Sequence, residues 1–184
     1  IQELPIKPNT IAVLPIPFVN SENLSSSEEM AKFAQNDMYS KLIEKASNIY
    51  PLTVQDVRDT NGLLRKAGVD YKNIDETPIS ELQKILGVDN IIAAKVSYTI
   101  DYNQTTTGYK NKETKNSGNK TTTNDFDISD TTTEKKFNYN VYFDLYKNNT
   151  KTYTQTREPF FTSKDSWMDS MSYLLKRCPI YIKN

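Results

Sequence analysis

A chain of 184 residues with 23 basic and 23 acidic side chains has no net charge, so no overall field draws it to nucleic acid or to an anionic membrane. It has no histidine and one cysteine, Cys178, which excludes a serine–histidine triad, a histidine-containing zinc site, a thiolate metal cluster and an intramolecular disulfide. The length suits a single α/β domain over residues 1–184, large enough to bury roughly 70% of its unfolded surface without disulfides or metal. No apolar run approaches the ~20 residues of a membrane helix and no signal peptide is recognisable, so the chain is expected to be cytosolic or to have lost a leader.

Residues 1–9 are polar and carry Pro5 and Pro8, which lack a ladder donor, and read as a tether or edge segment. Thr10 to Phe18 is a continuous β-prone apolar run, expected to be a central strand that Pro15 and Pro17 end. Ser25 with Glu28, or Ser26 with Glu29, can form a capping box for a long helix. Its apolar stripe is expected at Met30, Phe33, Ala34, Met38, Leu42, Ala46 and Ile49, with Gln35 off the stripe. A short strand is expected at Tyr50 to Val54, then a helix capped by Asp56, Asp59 or Thr60 that stops at Gly68. Thr77, Pro78 and Glu81 mark the start of another short helix, with Thr77 as the cap and Ile79, Leu82, Ile85 and Leu86 facing the core.

That helix should stop at Gly87, which has no Cβ to oppose a left-handed conformation. The strand after it changes character along its length. Ile91 to Ala94 is apolar on both faces, whereas from Val96 onward Val96, Tyr98, Ile100 and Tyr102 alternate with Ser97, Thr99 and Asp101, the pattern of a sheet with one wet face. Residues 103–133 are a polar Thr- and Asn-rich insertion with Tyr109, Phe126 and Ile128 as its only large apolar residues. Two readings of it stand: a flexible loop, or a long hairpin turning near residues 116–119. Too few apolar residues alternate there for a lipid-facing band.

Phe137, Tyr139, Val141, Phe143 and Leu145 alternate with polar residues and tyrosines, a strand signal; Asn148 and Asn149 then tolerate the positive φ of a tight turn into a strand over Lys151 to Arg157. Ser163 is the expected cap of a closing helix that buries Trp167, Met171, Leu174, Leu175 and Cys178 on one stripe and stops at Pro179. The expected fold class is therefore α/β (α+β): a mixed sheet with helices packed on it, a C-terminal antiparallel meander and a closing helix.

The residues suggest little chemistry. The five glycines form neither a dinucleotide fingerprint nor a P-loop. Asp56 and Asp59 sit where aspartate caps a helix, and Asp125, Asp127 and Asp130 lack the glycine and bidentate glutamate of a calcium loop. No catalytic residue, cofactor site or metal site is expected, and no enzyme activity, although a carboxylate-dependent hydrolase stays open as an alternative.

The order Ile11-Ala12-Val13-Leu14-Pro15, a long helix, Val54-Gln55-Asp56-Val57, then Leu86-Gly87-Val88-Asp89 leading into Ile91 to Val96 resembles an exported bacterial α/β superfamily. That superfamily includes the amino-terminal domain of TolB, the curli secretion channel lipoprotein and the lipoprotein activators of penicillin-binding proteins. The resemblance implies a periplasmic or outer-membrane-associated protein of a Gram-negative envelope that works by protein binding or self-association, touching the membrane only through a lipid anchor missing from this sequence. This chain departs from such proteins in lacking the amino-terminal lipid-bearing cysteine among its 184 residues, expected to have been cut away. Under that reading the contact surface is the 103–133 segment or an aromatic sheet face, with Tyr98, Tyr102, Tyr109, Phe126, Tyr142 and Tyr146 as partner-contact residues; ordinary sheet packing is the competing account of the tyrosines. A ring-forming component of a secretion or surface-assembly apparatus is the alternative function.

Overall fold

The computed structural model describes residues 5–117 and 120–181, with only the backbone described over 105–117 and 120–131. The chain forms two compact units, residues 1–99 with 137–184, and residues 100–136.

The first unit is a mixed α/β sheet packed between helices. Strand β1 (Lys7–Val13) pairs in parallel with β3 (Thr53–Val54) on one side and with β4 (Val88–Ser117) on the other. β1 begins at Lys7, inside the stretch read as a tether. It also ends at Val13 rather than running to Phe18, because the prolines at 15 and 17 cannot donate to a ladder; the chain then re-enters as β2 (Phe18–Asn20), parallel to β4 at Val96–Tyr98. Beyond β4 the sheet is antiparallel through β5 (Lys120–Lys147) and β6 (Thr150–Arg157), giving the order β3-β1-β4-β5-β6. Asn148 and Asn149, at φ 48° and 66°, make the two-residue turn between β5 and β6.

Strand alternation divides the interior into two cores. On one face, helices α1 (Glu28–Glu44) and α4 (Ser166–Arg177) cover Ile11, Val13, Ile92, Val96, Val141 and Phe143. On the other, α2 (Val57–Lys66) and α3 (Ile79–Leu86) cover Ala12, Leu14, Val88 and Ile91. Ile91 and Ile92 are both fully buried, as the apolar start of β4 requires.

The helix ends differ from expectation in detail. Ser27, not Ser25 or Ser26, caps α1 by accepting from the Met30 N–H. The buried stripe is Ala31, Ala34, Gln35, Met38 and Leu42, while Phe33 and Ala46 are exposed. Gln35 can be buried because its Nε2 donates 2.8 Å bonds to the Val13 carbonyl and Asn61 Oδ1, and its Oε1 accepts from Asn61 Nδ2. Asp56 caps α2 through the Arg58 N–H. Pro78, not Thr77, occupies the cap position of α3; the Thr77 hydroxyl donates instead to the Asn73 carbonyl. Gly87 takes the left-handed conformation that ends α3, at φ 70°. Asp165, rather than Ser163, precedes α4, and the Ser163 carbonyl accepts from the Ser166 hydroxyl.

The second unit contains the distal parts of β4 and β5, residues 100–117 and 120–136. Its strand backbone favours the hairpin reading of residues 103–133 over the flexible loop. The expected turn residues Gly118 and Asn119 lie outside the described residues.

Candidate functional site

The two faces of the first unit's sheet are covered unequally. α1 and α4 pack on residues of β1, β4 and β5 alike, whereas the core beneath α2 and α3 contains residues of β1 and the first half of β4, with Tyr146 at its margin. On that second face, Lys95 and Ser97 of β4 and Tyr142, Asp144 and Tyr146 of β5 keep contact with solvent, and Thr154 and Thr156 of β6, opposite Asp144 and Tyr142, are exposed. The alternation of the strands dictates this set, since their inward neighbours Val96, Val141, Phe143 and Leu145 belong to the larger core.

A groove of about 530 Å³ lies where this open half of the sheet meets the 3₁₀ turn Ile74–Glu76 and the start of α3. Leu14, Leu82 and Ala93 line its apolar part; Asp75 and Glu76 stand on the helical side and Tyr142, Asp144 and Tyr146 on the sheet side. Lys95 Nζ lies 3.7 Å from Asp75 Oδ2. Asp144 accepts a 2.6 Å hydrogen bond from the Thr154 hydroxyl, and Lys151 Nζ lies 3.7 Å from its Oδ2 and 5.6 Å from the centre of the Tyr146 ring. The Asp144 carboxylate holds the Lys151 ammonium above its usual pKa.

The six residues named from sequence do not form one surface. Tyr98 is half-buried against the larger core, its ring 5.7 Å from Tyr139 and 6.5 Å from Phe137, so it is a packing residue on the face opposite Tyr142 and Tyr146. Tyr142 and Tyr146 share the groove. Tyr102 belongs to the second unit, where it is 62% exposed and Lys135 Nζ stands 5.9 Å from its ring centre. The side chains of Tyr109 and Phe126 lie outside the described residues.

Asp56 and Asp59 border a second groove, of about 660 Å³, near the start of β1, but Asp56 is engaged in capping α2. Among the described residues, no group of three or more Asp, Glu, Cys or His side chains is placed to hold a metal ion. Cys178 is 2% exposed and its thiol is pushed up to about 12 by burial, so at neutral pH it is protonated and inaccessible to a substrate. No helix among the described residues is long and apolar enough to cross a membrane.

Two features escaped sequence reasoning. Asp75 and Glu76 were not singled out from the sequence, and only the fold brings them to the same groove as Asp144, some seventy positions away. Phe160 and Phe161, in the β6–α4 connection, are 91% and 67% exposed, with rings in edge contact at 5.3 Å; the Pro-Phe-Phe run was a signal that could have been noticed. No protein-family model matches this chain, and no curated protein matches it at a significant level.

Proposed function

We propose that this protein is a non-catalytic interaction domain of a Gram-negative cell envelope, exported and acting by binding another envelope protein. The observation that carries the reading is the unequal cover of the sheet: one face is buried by two helices, while half of the other presents tyrosines, threonines and ionic side chains around a groove. A mixed aromatic and polar surface of this kind suits a protein contact, because tyrosine contributes large contact area at low entropic cost and a hydroxyl for partners. The envelope assignment rests on the resemblance in motif order, and the buried, protonated Cys178 gives no support to a thiol nucleophile.

Capture from an envelope extract tests the proposal, using the full chain beside a variant lacking residues 104–132. A specific captured protein common to both is the expected result and puts the contact in the first unit; loss on deletion transfers it to the second. Failure of the full chain to capture any envelope protein above a charge-matched control refutes the reading. Light scattering across a concentration series separates the alternative: a large discrete oligomer argues for a ring-forming component of an assembly apparatus instead.

A further inference from the structure

We infer that Arg157, Tyr173 and Arg177 form a second site, which binds a phosphomonoester. It lies apart from the groove. Arg157 ends the edge strand β6 opposite Val141, a residue of the larger core, so its side chain is on the side of the sheet that α4 covers. Tyr173 and Arg177 stand one helical turn apart on α4, which puts their side chains on one face. Both guanidinium groups meet the same ring: Arg157 Cζ lies 3.5 Å and Arg177 Cζ 4.1 Å from the centre of Tyr173. Burial raises the Tyr153 pKa while the Arg177 charge pulls it down, which places Arg177 beside β6.

Charge and pre-organisation both point to an anion. Lys32, Lys41, Lys95 and Lys151 each have a carboxylate at 2.8 to 3.7 Å, but among the described residues neither Arg157 nor Arg177 has an acidic partner. One tyrosine therefore holds two like charges together, and an arriving anion relieves the repulsion between them. A guanidinium held over an aromatic ring loses mobility while its N–H fork stays free for an oxyanion. Arg157 is half-buried and Arg177 exposed, so a ligand reaches both from solvent. Their distances to one ring centre keep the two Cζ atoms within about 8 Å of each other, a span that one tetrahedral group bridges by accepting from both forks. A phosphomonoester carries a charge of about −1.5 to −2 at neutral pH and matches the pair, whereas a carboxylate neutralises only one member. The same group occurs on soluble phosphate esters and on the headgroup of phosphatidic acid.

The test titrates the full chain, isotopically labelled and at constant ionic strength, with inorganic phosphate, glycerol 3-phosphate and acetate. In parallel, the chain is sedimented with phosphatidylcholine vesicles with and without phosphatidic acid. Expected are shifts at the Arg157 and Arg177 side-chain N–H groups and at least tenfold weaker binding of acetate than of glycerol 3-phosphate. Arg157→Lys/Arg177→Lys keeps the charge but removes the forks and should weaken binding at least tenfold. Arg177→Gln, on an exposed side chain, keeps the fold and should weaken it several-fold. Saturation by glycerol 3-phosphate supports the site with a soluble ligand, and binding confined to vesicles with phosphatidic acid supports it with a lipid headgroup. Binding of neither, acetate binding as tightly as the phosphates, or unchanged affinity in both variants overturns the inference.

Discussion

Raising the pH above 9 should destabilise the fold through Cys178, and the size of the effect follows from burial. Cys178 belongs to the larger core, with 2% of its surface exposed, and removal from water lifts its pKa from the ordinary 9.0 to about 12. The folded state therefore holds the neutral thiol at pH values where the unfolded chain is already a thiolate. The contribution is fully present below pH 9 and is lost as pH climbs from there toward 12, at about 1.4 kcal/mol per pH unit, or roughly 3 kcal/mol by pH 11. Against a total stability of about 5–15 kcal/mol for a domain of this kind, that loss is large. Tyr139, Tyr153 and Tyr181 are shifted in the same direction by burial, so their pull joins above pH 10. Cys178→Ala isolates the thiol: it costs about 1 kcal/mol at neutral pH through lost packing, independent of pH, and removes the titration. Urea unfolding followed by circular dichroism at pH 7 to 11, in reductant, should show the variant less stable at pH 7 and overtaking the wild type between pH 9 and 10. A stability difference that stays constant from pH 7 to 11 would refute the linkage.

Three further outcomes are expected. Asp89 accepts from the backbone N–H groups of Asn9 and Thr10, both at 2.9 Å, and from Asn90 Nδ2 at 2.8 Å, tying the start of β1 to β4; Asp89→Ala should cost about 3 kcal/mol in chemical denaturation, with Asp89→Asn retaining part of it. Gly87→Ala places a Cβ at φ 70° and should cost about 1 kcal/mol, read as a drop in melting temperature without change in the far-ultraviolet spectrum. Phe160→Ser with Phe161→Ser should leave stability within about 0.5 kcal/mol while reducing retention on a hydrophobic-interaction column, since both rings are largely in water already; a large loss of stability would show that these rings pack in solution.

Period and punctuation in the sequence were enough for the four helices and the sheet's mixed character, but not for the break between β1 and β2. The switch in β4 from Ile91-Ile92, buried on both faces, to the alternation beginning at Val96 is a local signal, because which face a strand residue takes depends only on parity once one face is buried. Gly87 and the Asn148-Asn149 turn were equally legible, since their conformations follow from the residues themselves. Caps were less so. Three serines compete before α1, and which hydroxyl meets the Met30 N–H depends on the angle at which the chain leaves β2. Gln35 is polar by composition, and only its meeting with the Val13 carbonyl and Asn61 makes burial tolerable.

The candidate site lay further from the sequence than the fold did. Tyr98 and Tyr142 each sit in an alternating strand, yet they fall on opposite faces, and no inspection of either strand alone reveals that; the pairing of β4 with β5 decides it. Composition and spacing determined a mixed α/β sheet, its two-sided first half and the buried position of Cys178. Tertiary structure alone decided that α2 and α3 stop short of β5 and β6 and that Asp75 faces the same groove as Asp144, because how far one layer reaches across another depends on loop lengths and packing between segments distant in the chain.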